Sequence, residues 1–528
     1  KCLCSVVATS VCGMSEGARC VSGALGAAPA KVVSREPAQG EGDAFADLIA
    51  PQSVDDFFAT IWQRQPRVFS LSARADAEDA RAEHTLPDLR PRPLADQTWA
   101  DCCDMLALAW GGAPTRPPEG CELLVFKDMQ PSRDCDEGGP CAALLNGASC
   151  VVNHAEFVWA PLSRLCTQLR RRLLHVYANC YVTPPDSQAV APHADDRDVF
   201  VLQVCGRKHW RVFGSPVQLP YTHEQVGKNG RPVPEEVLEK KPLLECVLQP
   251  GDVLYMPRGF VHEAFCSNDA SSWHATLAVA THDWSWTKLA GSAVATAMDG
   301  EASARWRAAV PLPCGLPNST QVDVATALGG QLEELFGVLR QAVSPAAMRE
   351  ALLAKIAVHN ASQDRAIVSF EEVYSGPPCQ DEGESVGDEY SHWRSCAIRL
   401  ETRVRKATKE EKAADAEAQA NASAATLRRS KSKSKGRGKG KRGSSGLMIR
   451  EEMASVGIAV LAELERRAGE GLVVGELARA ASGVEGSSLF DDLARLCFAR
   501  VCASAGALRI IDTERKRQKT CEAAASSA

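Results

Sequence analysis

Short apolar runs broken by turns fill the first half of the chain, and a helical period takes over in the second. The stretch Val54-Asp55-Asp56-Phe57-Phe58 through Trp62 and Pro66 predicts a short helix leading into a strand at Arg67-Val68-Phe69. Residues 75–95 and 111–120 are rich in Pro, Gly and charge and read as loops. Between Gly147 and about Trp286 the apolar runs are Val199 to Val204, His209 to Phe213, Glu245 to Leu248, Asp252 to Met256 and Trp273 to Ala280. Several short strands punctuated by Pro, Gly and Asp predict a β-sandwich or barrel. Leu328, Leu332, Leu335 and Leu339 then recur at helical spacing, and Ser344-Pro345 opens a second helix with Met348, Leu352 and Ile356 on one face. Two amphipathic helices need a partner surface, either their own barrel or a second copy of the chain. Past an acidic, Gly-rich stretch at 376–389 and low-complexity sequence at 405–446, helices are predicted over Glu451 to Arg467, Glu476 to Ala481 and Ser488 to Phe498. A strand pair, Arg500 to Cys502 and Leu508 to Ile511, follows. Three helices and a ribbon fit a winged helix or a generic small helical domain.

Composition narrows this picture. A chain of 528 residues is too long for one core, and 45% hydrophobic with 24% charged residues is ordinary for globular domains. No uninterrupted apolar run reaches 18 residues, so no membrane-spanning helix is expected. Residues 428–442 hold nine basic side chains and no acid, so the net charge of −6 leaves −6 − 9 = −15 on the remainder. An acidic body with one basic tract is not a nucleic-acid-coating protein. Of the 21 cysteines, Cys2/Cys4 and Cys102/Cys103 are too close for paired zinc knuckles, and no second pair follows at finger spacing. Residues such as Cys180, Cys205 and Cys497 read as reduced thiols packed as small hydrophobes, which suggests an intracellular protein. The first residue is Lys, which suggests a fragment or processed form, and residues 1–50 read as a disordered leader.

The candidate chemistry lies between residues 179 and 262. In Pro192-His193-Ala194-Asp195-Asp196, His193 and Asp195 are two apart, so an extended segment projects both to one face and Asp196 to the other. A histidine and a carboxylate so placed can fill two adjacent positions around a metal. A histidine from a distant strand completes a facial triad that leaves positions open. His262 is the candidate, closing Pro250-Gly251-Asp252-Val253-Leu254-Tyr255-Met256-Pro257-Arg258-Gly259-Phe260-Val261-His262, which reads turn, buried strand, tight turn, histidine. The separation, 262 − 193 = 69 residues, leaves room for the intervening strands of a jelly roll. The bland alternative is a cupin-like fold without metal. In Arg207 to Phe213, alternation puts Lys208, Trp210 and Val212 on one face and Arg207, His209 and Arg211 on the other. A lysine on the apolar face needs an anion or a route to solvent.

Asn179-x-Tyr181-x-Thr183-Pro184-Pro185, His193-x-Asp195-Asp196, Gly206-Arg207-Lys208-His209-Trp210 and Pro257-Arg258-Gly259-Phe260-x-His262 together resemble the ribosomal oxygenases. These are JmjC-type protein histidyl hydroxylases, some of them also described as histone lysine demethylases. The resemblance runs from about Ser53 to the C-terminus and implies a mixed β and α protein. Residues 51–290 would form a double-stranded β-helix (a jelly-roll, cupin-like JmjC domain) and 291–375 a helical dimerisation region. Residues 376–446 would be an acidic loop and inserted basic linker, 447–515 a C-terminal winged helix, and 516–528 a tail. It implies that His193, Asp195 and His262 hold Fe(II), and that Lys208 binds the far carboxylate of 2-oxoglutarate as co-substrate. Asn179 and Tyr181, alternate residues on one face, would hydrogen-bond a substrate histidine. The implied activity is that of a 2-oxoglutarate-dependent dioxygenase hydroxylating a histidine of a ribosomal protein. The alternatives are demethylation of a histone tail with the same iron chemistry, or a non-catalytic chromatin- or ribosome-binding cupin. One departure stands out: the family's serine that helps hold the substrate imidazole is replaced by Ala278, which removes a hydrogen bond of order ~1 kcal/mol.

The tract from Arg428 to Arg442 reads either as a solvated linker or as nuclear or nucleolar targeting or nucleic-acid contact. Within the predicted helix Ser488 to Phe498, Asp491 and Asp492 outweigh Arg495, which argues against DNA reading and for protein contact. Expected partners are therefore the protein substrate and a second copy, with no membrane.

Overall fold

The protein is described by a computed structural model over residues 43–70, 93–111, 117–133, 135–228, 230–298, 320–374, 403–406, 451–467, 472–484, 487–504 and 507–510. Residues 1–42 of the expected leader, the acidic loop, the basic tract and the C-terminal tail lie outside the described residues. The end of that leader is not disordered but forms the helix Ala44–Ile49, because Phe45, Leu48 and Ile49 bury in the core. The first twelve strands are β1 (Arg67–Phe69), β2 (Glu122–Lys127), β3 (Gln130–Ser132), β4 (Ser149–Asn153), β5 (Tyr177–Thr183), β6 (His193–Ala194), β7 (Asp198–Gly206), β8 (Lys208–Val212), β9 (Leu244–Leu248), β10 (Val253–Met256), β11 (Val261–Phe265) and β12 (Ser272–Val279). They form two antiparallel sheets, an eight-stranded one in the order β1-β10-β7-β12-β5-β4-β2-β3 and a four-stranded one in the order β6-β11-β8-β9. The five apolar runs read from the sequence are β7, β8, β9, β10 and β12.

β7 is buried on both faces, which is why it shows no polar alternation. Its Val199 and Val201 meet Trp210, Val212 and Leu248 of the small sheet between the two layers. Its Phe200 faces the outside of the large sheet, where Phe45, Phe57 and Tyr255 pack around it. Phe57 comes from the predicted N-terminal helix, which starts at Val54–Asp56 with Ser53 capping the Asp56 amide at 3.1 Å and continues as a wider turn through Ile61. Two flanking helices, Trp99–Trp110 and Cys135–Leu145, were not legible as such in the sequence.

The two predicted amphipathic helices are Gln321–Ala342 and Pro345–Tyr374, divided at Ser344. The second is seated on the barrel by Gln363, whose amide donates to Glu156 Oε1 at 2.8 Å and to the Val176 carbonyl at 2.9 Å. Asn360 Oδ1 meets His175 Nδ1 at 2.8 Å beside it. Their outer faces leave Phe336 55%, Val358 69% and Val368 50% exposed, so the barrel covers only part of their apolar surface.

The C-terminal region corrects one expectation. Arg500 to Cys502 is not a strand but lies inside the helix Asp492–Ser504. Leu493, Leu496, Cys497 and Arg500 recur at helical spacing and are all buried, so packing carries the helix past Phe498. The strand β15 (Leu508–Ile510) pairs instead with β13 (Arg403–Lys406), which begins in front of the low-complexity stretch and also pairs with β14 (Leu472–Val473). With the helices Glu451–Arg466 and Leu477–Ala480, these elements pack into the same apolar core as the helices flanking the barrel.

Candidate metal centre

His193 and His262 face each other as register partners across β6 and β11, with ring centroids 4.4 Å apart. Asp195, just past β6, is fixed by its own carbonyl, which accepts the Gly259 amide at 2.8 Å. Its carboxylate lies 3.9 Å from His193 Nε2 and 3.7 Å from His262 Nε2, and one donor atom from each of the three residues falls within 4.8 Å of the others. Asp196 points elsewhere, as alternation requires: it is wholly buried and accepts from Thr222 Oγ1 at 2.5 Å.

The tautomers suit a cation. His193 Nδ1 contacts the Ala191 carbonyl at 2.8 Å and His262 Nδ1 the Phe260 carbonyl at 3.1 Å, so each Nδ1–H is used and each Nε2 lone pair faces inward. Burial, helped by Lys228 and the neighbouring imidazole, drops the His193 pKa to about 3; burial also lowers His262. Both rings are neutral at physiological pH. Burial would raise the Asp195 carboxyl, but Lys228 and the two imidazoles outweigh it and hold the group far below the carboxylate range. Two neutral imidazoles and one carboxylate, one face shared and the other open to a pocket, fit a divalent metal of the non-haem iron type.

The pocket, of about 470 Å³ including its mouth, is lined from both sheets. Lys208, only 2% exposed, reaches in from β8 and donates to Thr183 Oγ1 at 2.9 Å. Trp210 and Val212 are buried on the same face, as alternation predicts, while His209 and Arg211 are partly exposed. His274 of β12 lies flat on Tyr181 with 4.9 Å between ring centroids, and among the described residues its buried Nδ1 has no hydrogen-bond partner. Burial, then Lys208, keeps His274 neutral.

A model of the JmjC domain matches residues 152–289, the span that carries this pocket. The match takes in β5 to β12 of the barrel. A zebrafish (Danio rerio) protein named ribosomal oxygenase 1 is 37% identical over 297 residues, covering 53% of this chain and 49% of that protein. A Drosophila persimilis protein named bifunctional lysine-specific demethylase and histidyl-hydroxylase NO66 is 31% identical over 234 residues, covering 44% of this chain and 31% of that one. The ribosomal oxygenase YcfD of Escherichia coli, solved with cobalt and 2-oxoglutarate, aligns at 19% identity with a TM-score of 0.34, over 57% of this chain and 70% of that one. The match spans between 14% and 49% of the length of the curated relatives, less than half in each.

Within the matched span, Asn179 and Tyr181 share the less buried face of β5. Asn179 Oδ1 accepts the His154 amide at 3.1 Å, and Tyr181 lines the pocket. Ala278 is buried between the sheets, so the missing hydroxyl is replaced by apolar packing.

Sequence reasoning missed Lys228. Its Nζ lies 2.5 Å from Asp195 Oδ1. A tight turn aims it there: Gly227 has φ +75° and donates to Arg231 O at 2.6 Å, and Arg231 N returns to Lys228 O at 3.0 Å. A Cβ on Gly227 would stand 2.4 Å from Pro192 O and 2.6 Å from His193 Cα. Only glycine allows this turn to press against β6. The clue was the Gly227-Lys228-Asn229-Gly230 turn signal, which carried no metal-ligand spacing.

Proposed function

We propose that the chain is an Fe(II)- and 2-oxoglutarate-dependent oxygenase that hydroxylates a histidine of a ribosomal protein. The observation that carries this reading is the meeting of His193, Asp195 and His262 in a pocket that the buried Lys208 also lines. Those three residues are the proposed iron ligands, and Lys208 with the Thr183 hydroxyl is the anchor for the far carboxylate of 2-oxoglutarate. Iron(II) with this co-substrate supplies the activation of dioxygen for oxidising a C–H bond.

The chain's own residues do the positioning. The backbone carbonyls of Ala191 and Phe260 fix the imidazole tautomers, so the metal meets lone pairs rather than N–H groups. Trp210 and the stacked Tyr181–His274 pair wall the co-substrate off from water. Asn179 accepts the His154 amide and donates to the Tyr181 hydroxyl, so the two side chains form one polar pair for an incoming imidazole.

The same reading extends to the rest of the chain. The outer faces of Gln321–Ala342 and Pro345–Tyr374, with Phe336, Val358 and Val368 exposed, support dimerisation. The C-terminal helices and three-stranded sheet support a winged-helix relative used for protein contact. The basic tract supports nuclear or nucleolar delivery. Among the described residues no helix is long and apolar enough to cross a membrane.

The test is anaerobic iron loading followed by 2-oxoglutarate decarboxylation in air, comparing wild type with His193→Ala and Asp195→Ala. Ribosomal-protein peptides are followed by mass spectrometry. Triad-dependent turnover with a gain of one oxygen on a histidine is expected. Loss of a methyl group from a methyl-lysine would move the substrate to a histone tail, turnover that survives both substitutions would sink the ligand assignment, and failure to bind iron would sink the enzyme reading.

A further inference from the structure

Away from the pocket, three cysteines from distant parts of the chain converge. Cys103 belongs to the helix Trp99–Trp110, Cys141 to Cys135–Leu145 and Cys497 to Asp492–Ser504. Their sulfurs all lie within 4.8 Å of one another. Cys103 and Cys497 are 1% and 0% exposed, and Cys141 is half-buried. Scattered thiols packed as small hydrophobes do not require this. The three thiols hydrogen-bond one another, and their spacing also suits a metal: three sulfurs bound at ~2.3 Å around one ion stand roughly 4 Å apart in a trigonal plane. The cluster reaches that geometry by contracting less than about an ångström. A disulfide asks far more, because two sulfurs must close to ~2.05 Å while their helices stay packed.

We propose that Cys103, Cys141 and Cys497 form a three-thiolate site for one copper(I) ion, which ties the C-terminal helix to the two helices flanking the barrel. Thiolates are soft donors that select copper(I), zinc or iron–sulfur clusters. Structural zinc is almost always four-coordinate, and among the described residues no fourth histidine, cysteine or carboxylate joins this group. Burial leaves little room for water to serve as a fourth ligand. Copper(I) is satisfied by three sulfurs. Charge supports the site as well: Arg500, 3% exposed and on the same helix as Cys497, acts favourably on the Cys141 thiolate while its Nη1 holds Asp104 Oδ1 at 2.8 Å. Without a metal, the neighbouring sulfurs and burial hold the Cys141 and Cys497 thiols far above their ordinary range. Binding is an exchange with no redox step: one copper(I) ion replaces the three thiol protons, which leave to solvent.

The test is anaerobic titration of the full chain with copper(I) against the chromogenic chelator bicinchoninate, in a His193→Ala/Asp195→Ala background that silences the histidine site. The chain is expected to hold one equivalent. Cys103→Ser, Cys141→Ser and Cys497→Ser should each lose it, and Cys502→Ser, a buried cysteine of the same helix outside the cluster, should keep it. Retention in all three variants, or no copper held by the starting chain, overturns the proposal. Zinc held in preference to copper(I) by the same three residues overturns the choice of ion. Should a serine variant fail to fold, cysteine alkylation in mild urea decides: copper(I) must slow labelling of Cys103, Cys141 and Cys497 more than that of Cys502.

Discussion

Lys208→Met should make the ligand-free protein more stable and the co-substrate complex less so. The Lys208 ammonium is 2% exposed, and among the described residues its hydrogen-bond partner is one neutral hydroxyl, Thr183 Oγ1. Burial lowers its pKa, so the charged form is disfavoured in the folded state. Between the folded pKa and the unfolded value near ~10.4, the unfolded chain binds more protons than the folded one, and stability rises with pH across that window. Below it the penalty is present in full. Methionine keeps the length of the side chain and removes the charge, which is worth about 1–3 kcal/mol when a buried polar group is under-satisfied. At roughly 2–4 °C per kcal/mol for a domain of this size, the midpoint should rise by several degrees at pH 7. Adding manganese and 2-oxoglutarate at about 100 times the dissociation constant should stabilise wild type by ~2.7 kcal/mol. The variant, lacking a counter-charge for the carboxylate, should gain from the metal alone. The order of the two melting curves therefore inverts on adding 2-oxoglutarate, which anaerobic calorimetry reads directly. A variant less stable than wild type without ligand, or equal 2-oxoglutarate shifts in both proteins, would refute the assignment of Lys208 as the anion anchor.

Other outcomes follow from the same geometry. Lys228→Met removes an ammonium that occupies Asp195 Oδ1, so cobalt or manganese should bind roughly tenfold tighter, ~1.4 kcal/mol, by calorimetry; weaker binding would make Lys228 a support rather than a competitor. Gly227→Ala forces a Cβ onto the backbone beside His193 and should cost about 2 kcal/mol and at least tenfold in metal affinity. In metal-free protein, His193, His262 and His274 stay neutral in the fold below the pH at which the unfolded chain takes up protons. Stability should fall as pH drops below ~6.5, by up to about 1.4 kcal/mol per unit for each ring, and the His193 contribution continues to about pH 3. Urea midpoints that match at pH 7.5 and pH 5 would contradict this.

The sequence exposed those parts of the site that strand periodicity controls. His193 and Asp195 sit two apart and Lys208 shares a face with Trp210 and Val212, so alternation placed these three, while His262 was read from the turn, buried strand and tight turn in front of it. Lys228 was hidden because its aim depends on a turn whose partner, Pro192-His193, is remote in sequence. The helix Asp492–Ser504 was cut short because Arg500 and Cys502 read as an alternating pair. Packing of Cys497 and Arg500 against the flanking helices, invisible to local pattern, decides in favour of helix. Cys103, Cys141 and Cys497 fall 38 and 356 residues apart (141 − 103; 497 − 141), spacings that no finger template anticipates.

The low-complexity stretch looks like a hinge between two modules, yet the chain on its far side is part of the near side. Met453, Leu493 and Leu496 share a core with Leu106 and Leu144, and Asp491 Oδ2 accepts the Ser271 amide at the start of β12 at 2.8 Å. The barrel and the C-terminal elements are consequently not exchangeable parts. Trimming the chain at the tract would strip one wall from the structure that aligns β12 and would bare Leu144 and Leu145 to solvent. Insertions in the tract cost little, about 0.6 kcal/mol per doubling of its length, because loop-closure entropy grows only with the logarithm of length.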